Sequence, residues 1–181
     1  MKALNIGCGK IRLNFAVNMD IHGGDVKGDI LNIPFNDKTF DWVLTSHVLE
    51  HILDTRVAML EIHRVLNYSG ILVVRVPYGL KVLFDPFHKR AFDLTTMDRF
   101  THDDPNSLEY GRLFRIISVQ ISDYELPSFL ELPSYSYHIY KYFKWLLIKL
   151  GFEEGIDGKI RNPYPLTRRK EITWILQKIG N

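Results

Sequence analysis

The sequence predicts an α/β domain built on a parallel sheet with crossover connections. Three observations carry that reading. Short apolar runs alternate with turns and helical stretches through the first part of the chain. One of them, "ILVVRVP" (Ile71 to Pro77), is dense in β-branched residues, as a central strand requires. The first, "ALNI", runs straight into the glycine-bearing turn "GCG", and open parallel sheets bind ligands where such turns leave the strands. The 181 residues suit a single domain, 1–181, and a hydrophobic content of 46% is enough for a substantial core.

The elements follow in order. Ala3 to Ile6 form the first strand, ended by Gly7 and Gly9. "AVNMD", Ala16 to Asp20, is the second and ends in an acid; the short segment before it leaves room for a helix of a turn or two only. "DVKGDI", Asp25 to Ile30, holds a small third strand, and "NIPFNDKTF" is a loop marked by Pro34 and Asn36-Asp37. "DWVLTS", Asp41 to Ser46, is the fourth strand. Asp54 caps a helix running to about Leu66, in which Ala58, Ile62, Val65 and Leu66 share one face; Asn67 to Gly70 stop it. After Pro77 the alternation lapses. Thr95 or Thr96 caps a short helix through Phe100, Phe114 to Ile121 is a strand, Tyr135 to Leu150 is helical, and Glu171 to Ile179 is the last strand.

Composition narrows the function. Lys plus Arg total 23 against 21 Asp plus Glu, so no strong field for nucleic acid is expected. The single cysteine, Cys8, can build neither a disulfide framework nor a cysteine zinc cluster, which points to a reducing, cytoplasmic setting. The apolar run after Lys2 is too short for a signal peptide, and no uninterrupted apolar stretch would span a bilayer.

Gly7 and Gly9 lie at the carboxyl end of the first strand, and Asp20 at that of the second, where an acid can accept from two ribose hydroxyls. A dinucleotide fingerprint fails on three counts. Arg12 stands at the third glycine position, the helix is curtailed, and the acid arrives 13 residues after Gly7 rather than about 20. A G-x-x-x-x-G-K-[ST] phosphate loop is absent.

Taken together, "LNIGCGK", "VNMDI", "GDILNIPFNDKTFDWVLTSHVLEHILD" and "EIHRVLNYSGILVVRVP" resemble the class I S-adenosylmethionine-dependent methyltransferases in order and spacing, from Leu4 to Pro77. The nearest flavour is a group of short methyltransferases found beside glycan-building enzymes. That group also begins almost at its first strand and carries a segment like "DPFHKRAFDLTTMDRF", which extends the resemblance to Phe100. The resemblance implies a Rossmann-like three-layer sandwich, mostly parallel, with an antiparallel last strand and a lid or insertion over 123–170. It implies S-adenosyl-L-methionine as cofactor, with Gly7, Cys8 and Gly9 lining the methionine end through their backbone. Asp20 would bind the ribose with Ile21 against the adenine, Asp29 would accept from the adenine amino group, and Ile30 and Leu31 would flank the ring. Ser46 and His47 would face the methionine moiety and the reactive methyl. Cys8 is then a small turn residue, not a nucleophile. Gly28-Asp29 also suits a plain turn. "NYSG" stands where the family usually has Lys-Pro-Gly-Gly, a structural departure only.

For the chemistry, His47, His88 and His51 are the candidate bases, because a sugar hydroxyl is weakly acidic. His88 and Arg90, in an aromatic loop after the fifth strand, are substrate-facing candidates, with Arg90 as an anion clamp; a local turn and salt-bridge network is the alternative. His47 and His51 share a face if a helix has begun there. Two histidines lack the third protein ligand that a metal usually needs, so no metal is expected, and His51 can equally anchor a helix start. The place after the fourth strand reads "TSHVL", not the Asn/Asp-Pro-Pro-aromatic motif of enzymes that methylate base amines; the later "NPYP" reads as a proline-stiffened loop.

The aromatic, lysine-dotted segment Tyr135 to Phe152 reads first as a lid or core element, next as a homodimer contact, and last as a membrane-surface contact. The leading function is a methyltransferase acting on a small molecule or glycan, at a hydroxyl oxygen. Behind it stand a protein or tRNA methyltransferase of the same fold, a non-catalytic binding module, and, weakest, a nicotinamide oxidoreductase.

Overall fold

The structure is a computed structural model; it describes residues 1–78, 82, 85–101, 112–122, 153–154, 160–161 and 170–179. Strands β1 (Ala3–Ile6), β2 (Val17–Asp20), β3 (Val26–Lys27), β4 (Phe40–Ser46), β5 (Leu66–Tyr78), β6 (Phe114–Ser122) and β9 (Lys170–Lys178) form one sheet in the order β3-β2-β1-β4-β5-β9-β6. The pairs from β3 to β5 are parallel, and β9 runs antiparallel to both β5 and β6. Strand order therefore reverses between β1 and β4, and the crevice above their carboxyl ends is where such sheets take ligands. β7 (Glu153–Glu154) and β8 (Ile160–Arg161) pair antiparallel as a separate two-stranded ribbon inside the expected insertion. Helix Tyr135 to Leu150, "NPYP" and most of 123–170 lie outside the described residues.

The period-two pattern of the strands divides the core. Leu4, Ile6, Leu72, Val74 and Trp174 face the helix α1 (Thr55–Val65), while Ala3, Trp42, Ile71, Val73 and Ile175 face the other way. The helices of a three-layer sandwich are represented among the described residues by α1 alone. Asp54 caps it, accepting from Val57 N–H at 3.1 Å, and Ala58, Met59, Ile62 and Val65 form its buried stripe. The cap is worth about 1 kcal/mol. Each large apolar side chain of the stripe contributes about 2 kcal/mol, so packing rather than capping holds α1.

The helix ends where expected, with Leu66 as its C-cap, but Asn67 to Gly70 are not a turn that stops it. Leu66 already belongs to β5, and Asn67 to Gly70 bulge out within that strand: Phe40 pairs with Leu66, but Trp42 pairs with Ile71. The stop comes from elsewhere. Buried Lys178 donates to the carbonyls of His63 and Leu66 at 2.7 and 2.9 Å, a cation on the carbonyl end of the helix. At the 3₁₀ turn Thr96–Phe100 the expected threonine cap is replaced by Asp93, whose Oδ1 accepts from Thr95 N–H and from both threonine hydroxyls.

No helix stands between β1 and β2 among the described residues. A buried asparagine takes its place. Asn18 Oδ1 accepts from Asn5 Nδ2 and Leu13 N–H, and its Nδ2 reaches the carbonyls of Leu13 and Ala16 and the carboxylate of Asp25. Both hydrogen-bonding ends of the side chain are thereby satisfied, which a buried amide needs. No helix of the described residues is long and apolar enough to cross a membrane.

Candidate functional site

Above β1, Gly7 turns the chain at φ 66°, a left-handed conformation in which side chains are strained. A Cβ there would lie 2.2 Å from Val48 Cγ2. The missing side chain of Gly7 is thus the socket for Val48, and the turn after β4 locks against the turn after β1. The amides of the glycine turn are all engaged inside the protein. Gly7 and Cys8 N–H donate to Met19 O at 2.8 and 3.2 Å, and Gly9 N–H to Asp20 Oδ2 at 2.9 Å. A pyrophosphate cradle needs those donors free. The turn therefore has no spare amide for an anion, and its Cys8 carbonyl accepts from Ile11 N–H at 2.8 Å.

Asp20 is fixed on both sides, because His22 N–H reaches its Oδ1 at 2.9 Å. The His22 and Gly9 amides together hold its carboxyl below the usual range. Burial raises the Cys8 thiol above its ordinary pKa, so it is no thiolate nucleophile. Asp29 Oδ1 accepts from Leu31 N–H at 2.9 Å, closing the turn that sets Ile30 inward and leaves Leu31 half-buried; Ile21 is exposed. Glu61 and Arg64 of α1 hold the loop behind them, through Ile33 N–H and the carbonyls of Ile33 and Phe35.

Across the crevice, Ser46 ends β4 and His47 follows at φ 56°, a strained value for a non-glycine residue. Its N–H donates to Arg75 O. Its ring lies between two buried glutamates: Nε2 is 2.8 Å from Glu171 Oε1, and Nδ1 is 3.4 Å from Glu50 Oε1. Arg75 braces Glu171 from the other side, through Nε at 3.1 Å and through Nη2. Burial opposes charge on His47, but its hydrogen bond with Glu171 and the adjacent charges of Glu171 and Glu50 outweigh it and raise its pKa to about 9. Glu171 shifts the other way: burial would raise its carboxyl, yet His47 and Arg75 bring it below the usual range.

The segment Asp85–Arg90 folds over this point. Lys89 and Arg90 N–H donate to Glu50 O, and the Arg90 guanidinium turns back on Leu53 O through Nε and Nη2. His51 and His88 meet edge to face with ring centroids 5.0 Å apart. Each gives its Nδ1 to a backbone carbonyl at 3.1 Å, His51 to Phe87 O and His88 to Val82 O.

A family model described as "Methyltransferase domain" matches residues 11–74. A putative methyltransferase from Bacillus halodurans superposes with a TM-score of 0.58 at 17% identity, covering 99% of this chain and 92% of that one. This is the class I methyltransferase fold. That fold is the one the sequence resemblance implies, and the family-model match lies within the chain's first half. A phosphoethanolamine N-methyltransferase from Haemonchus contortus, solved with S-adenosyl-L-methionine, shares the fold at a TM-score of 0.51 and 14% identity, covering 99% of this chain and 49% of that one. The demethylmenaquinone methyltransferase of Staphylococcus epidermidis is 42% identical over 48 residues, 26% of this chain and 20% of its own length. The chain spans less than a third of the length of the curated relatives it matches.

On the methyltransferase fold the sequence-derived residues fall into two groups. Gly7, Cys8, Gly9, Asp20, Ile21, Asp29, Ile30 and Leu31 sit on the turns after β1 to β3; Ser46, His47, His51, His88 and Arg90 gather beyond β4 and β5. Arg90 is a strut in this arrangement, with two of its N–H groups on Leu53 O. Sequence reasoning missed Glu50, Arg75 and Glu171. A signal existed for two of them: an arginine inside "ILVVRVP" and a glutamate opening "EITWIL" are charges in buried strands, which must be paired. Glu50 lay in plain view between the two histidines of "HVLEH".

Proposed function

We propose that the protein binds S-adenosyl-L-methionine across the turns after β1 to β4 and transfers its methyl group to a hydroxyl oxygen of a small-molecule or glycan acceptor. The observation that carries this is the glycine turn locked to Val48, with every amide of Gly7 to Gly9 engaged inside the protein. Such a turn disfavours a phosphate. The residues present fit the cofactor in two further ways. Asp20 is held ionised and pre-oriented for two ribose hydroxyls, and Ile30 and Leu31 offer apolar surface for the adenine beside Asp29. The cofactor supplies a methyl carbon on a sulfonium, ready for in-line displacement; the protein supplies alignment, exclusion of water and a place for the acceptor's proton.

His47 fits the part of a fixed cation better than that of a base, since it holds its proton at neutral pH between Glu171 and Glu50. His51 and His88 carry their ring hydrogen on Nδ1, donating to a carbonyl, so each keeps an Nε2 lone pair. Proton acceptance from a hydroxyl goes to them. The demethylmenaquinone relative matches over 48 residues, too few to bring its acceptor to this chain. The protein and tRNA readings have no basic surplus to support them, and a retired site has no reason to keep Asp20 and Asp29. A cytoplasmic setting goes with a single buried thiol.

Calorimetry with S-adenosylhomocysteine, with NADH as control, tests the proposal on wild type and Asp20→Ala. Micromolar binding of the homocysteine that the substitution abolishes is expected. Binding of NADH instead would overturn it.

A further inference from the structure

Glu50 is a buried carboxylate, 1% exposed, and neither of its oxygens accepts a hydrogen bond. Oε1 has His47 Nδ1 at 3.4 Å and His51 Nε2 at 3.9 Å. Protonated His47 offsets part of its charge, but a buried carboxylate with no hydrogen bond on either oxygen is still costly, so its persistence needs a reason. His51 and His88 supply one. The sequence offered two histidines, His47 and His51, and no third ligand; the fold substitutes His88 for His47 and adds Glu50. One ligand atom from each of Glu50, His51 and His88 lies within 4.8 Å of the others. Both rings have Nδ1 tied to a backbone carbonyl, which fixes the tautomer and leaves Nε2 to coordinate. That is the outer-shell support of a metal-ligating histidine.

We propose that Glu50, His51 and His88 form a binding site for a divalent first-row transition metal such as Zn²⁺ or Mn²⁺. Two imidazoles and one carboxylate make a three-ligand set that leaves coordination positions open. Drawing the three atoms in to bonds of about 2.0–2.2 Å takes side-chain shifts on the order of 1 Å. Asp85 stands next to the set, with Oδ2 3.8 Å from His88 Nε2, within reach through a bound water. The His51 side chain is 44% exposed, so the set is open to solvent on that side.

The ion's role rests on the methyl-transfer reading; its binding does not. With the ion bound, Nε2 of His51 and His88 are its ligands and the ion takes over the part of the base: an acceptor hydroxyl on the metal loses its proton to solvent more readily. Its oxygen then forms the bond to the methyl carbon as the carbon–sulfur bond breaks and the electron pair stays on a neutral thioether sulfur.

Tag-free full-length protein, stripped with chelator, should be titrated with Co²⁺ by visible absorption and with Zn²⁺ by calorimetry. Wild type, Glu50→Gln, His88→Gln and the control His22→Gln are compared, each checked by circular dichroism. One equivalent bound at micromolar affinity is expected, weakened at least about tenfold by losing either ligand and unchanged in His22→Gln. Should Glu50→Gln not fold, His51→Gln takes its place. No saturable binding up to about 1 mM, or equal binding in the ligand variants, overturns the site. S-adenosylhomocysteine binding measured on the same samples separates the two claims: metal without homocysteine sinks the methyl-transfer reading alone, and the reverse sinks the metal site alone.

Discussion

The two sides of the crevice are built on opposite principles. On the β1–β2 side every polar group has a near neighbour in sequence: Asn18 holds Leu13, Ala16 and Asp25, and Asp20 holds Gly9 and His22. On the β4–β5 side the charged groups come from afar. His47 meets Glu171 across 124 positions and Arg75 meets it across 96, while Glu50 is left without a donor. The first side is self-contained and rigid before anything binds. The second stores buried charge around the place where an acceptor would sit, and buried charge is where chemistry is tuned.

The contrast is broken most severely at Glu171. Glu171→Gln leaves Arg75 and protonated His47 without their shared counter-charge in a buried site. A loss of about 3 kcal/mol in unfolding free energy is expected, read by denaturant titration. If the two sides are separate, S-adenosylhomocysteine affinity should change by less than about threefold, since distant sites act independently. A large loss of binding would mean that the sides are one unit.

Next in size is the joint between them. Gly7→Ala adds a Cβ at 2.2 Å from Val48 and fixes a side chain at positive φ. Overpacking and the left-handed backbone together cost about 2–4 kcal/mol. Combining it with Val48→Ala should restore part of that loss and not the share due to φ. Gly9→Ala, with φ 50° and nothing within 4 Å of the added carbon, should cost only about 1 kcal/mol. Equal losses for the two glycines in thermal melts would show that the socket does not matter. Asn18→Ala belongs between them: it strands Leu13 N–H in the interior and leaves Asn5 Nδ2 with Ile11 O alone, at about 2 kcal/mol, and should loosen homocysteine binding along with stability.

The same contrast decides what could be read from the chain. The β1–β2 side was legible because its signals are local: strand, glycine turn, strand, acid. The sheet, its polarity and the buried stripe of α1 followed for the same reason. The helix end was legible, but Asn67 to Gly70 belong to β5, and the lysine that holds the last carbonyls, Lys178, lies more than a hundred positions from His63. Glu171 and Arg75 escaped for that reason too, although each stood out as a charge in an apolar strand. His88 was flagged, but its partners Glu50 and His51 are set by how Asp85–Arg90 folds back, and no spacing rule encodes that fold.

The effect that most sharpens the comparison is the one that reads the charge itself. His47 has its pKa raised to about 9, so its pairing with Glu171 and Glu50 stabilises the fold while it is protonated. That contribution is fully present below its unfolded value near 6.5. It is lost as pH rises through about 9, because the folded state must then give up a proton that the unfolded state released earlier. Glu171 runs the other way: its carboxyl is lowered, so its share is present above the ordinary carboxylate range and is lost as pH falls through the depressed value. Thermal melts across pH should therefore show a slope between about 6.5 and 9 that Glu171→Gln flattens and Asn18→Ala leaves in place. If Asn18→Ala flattens it instead, the alkaline slope belongs to the cofactor side, and His47 is not the cation that the acceptor side is built around.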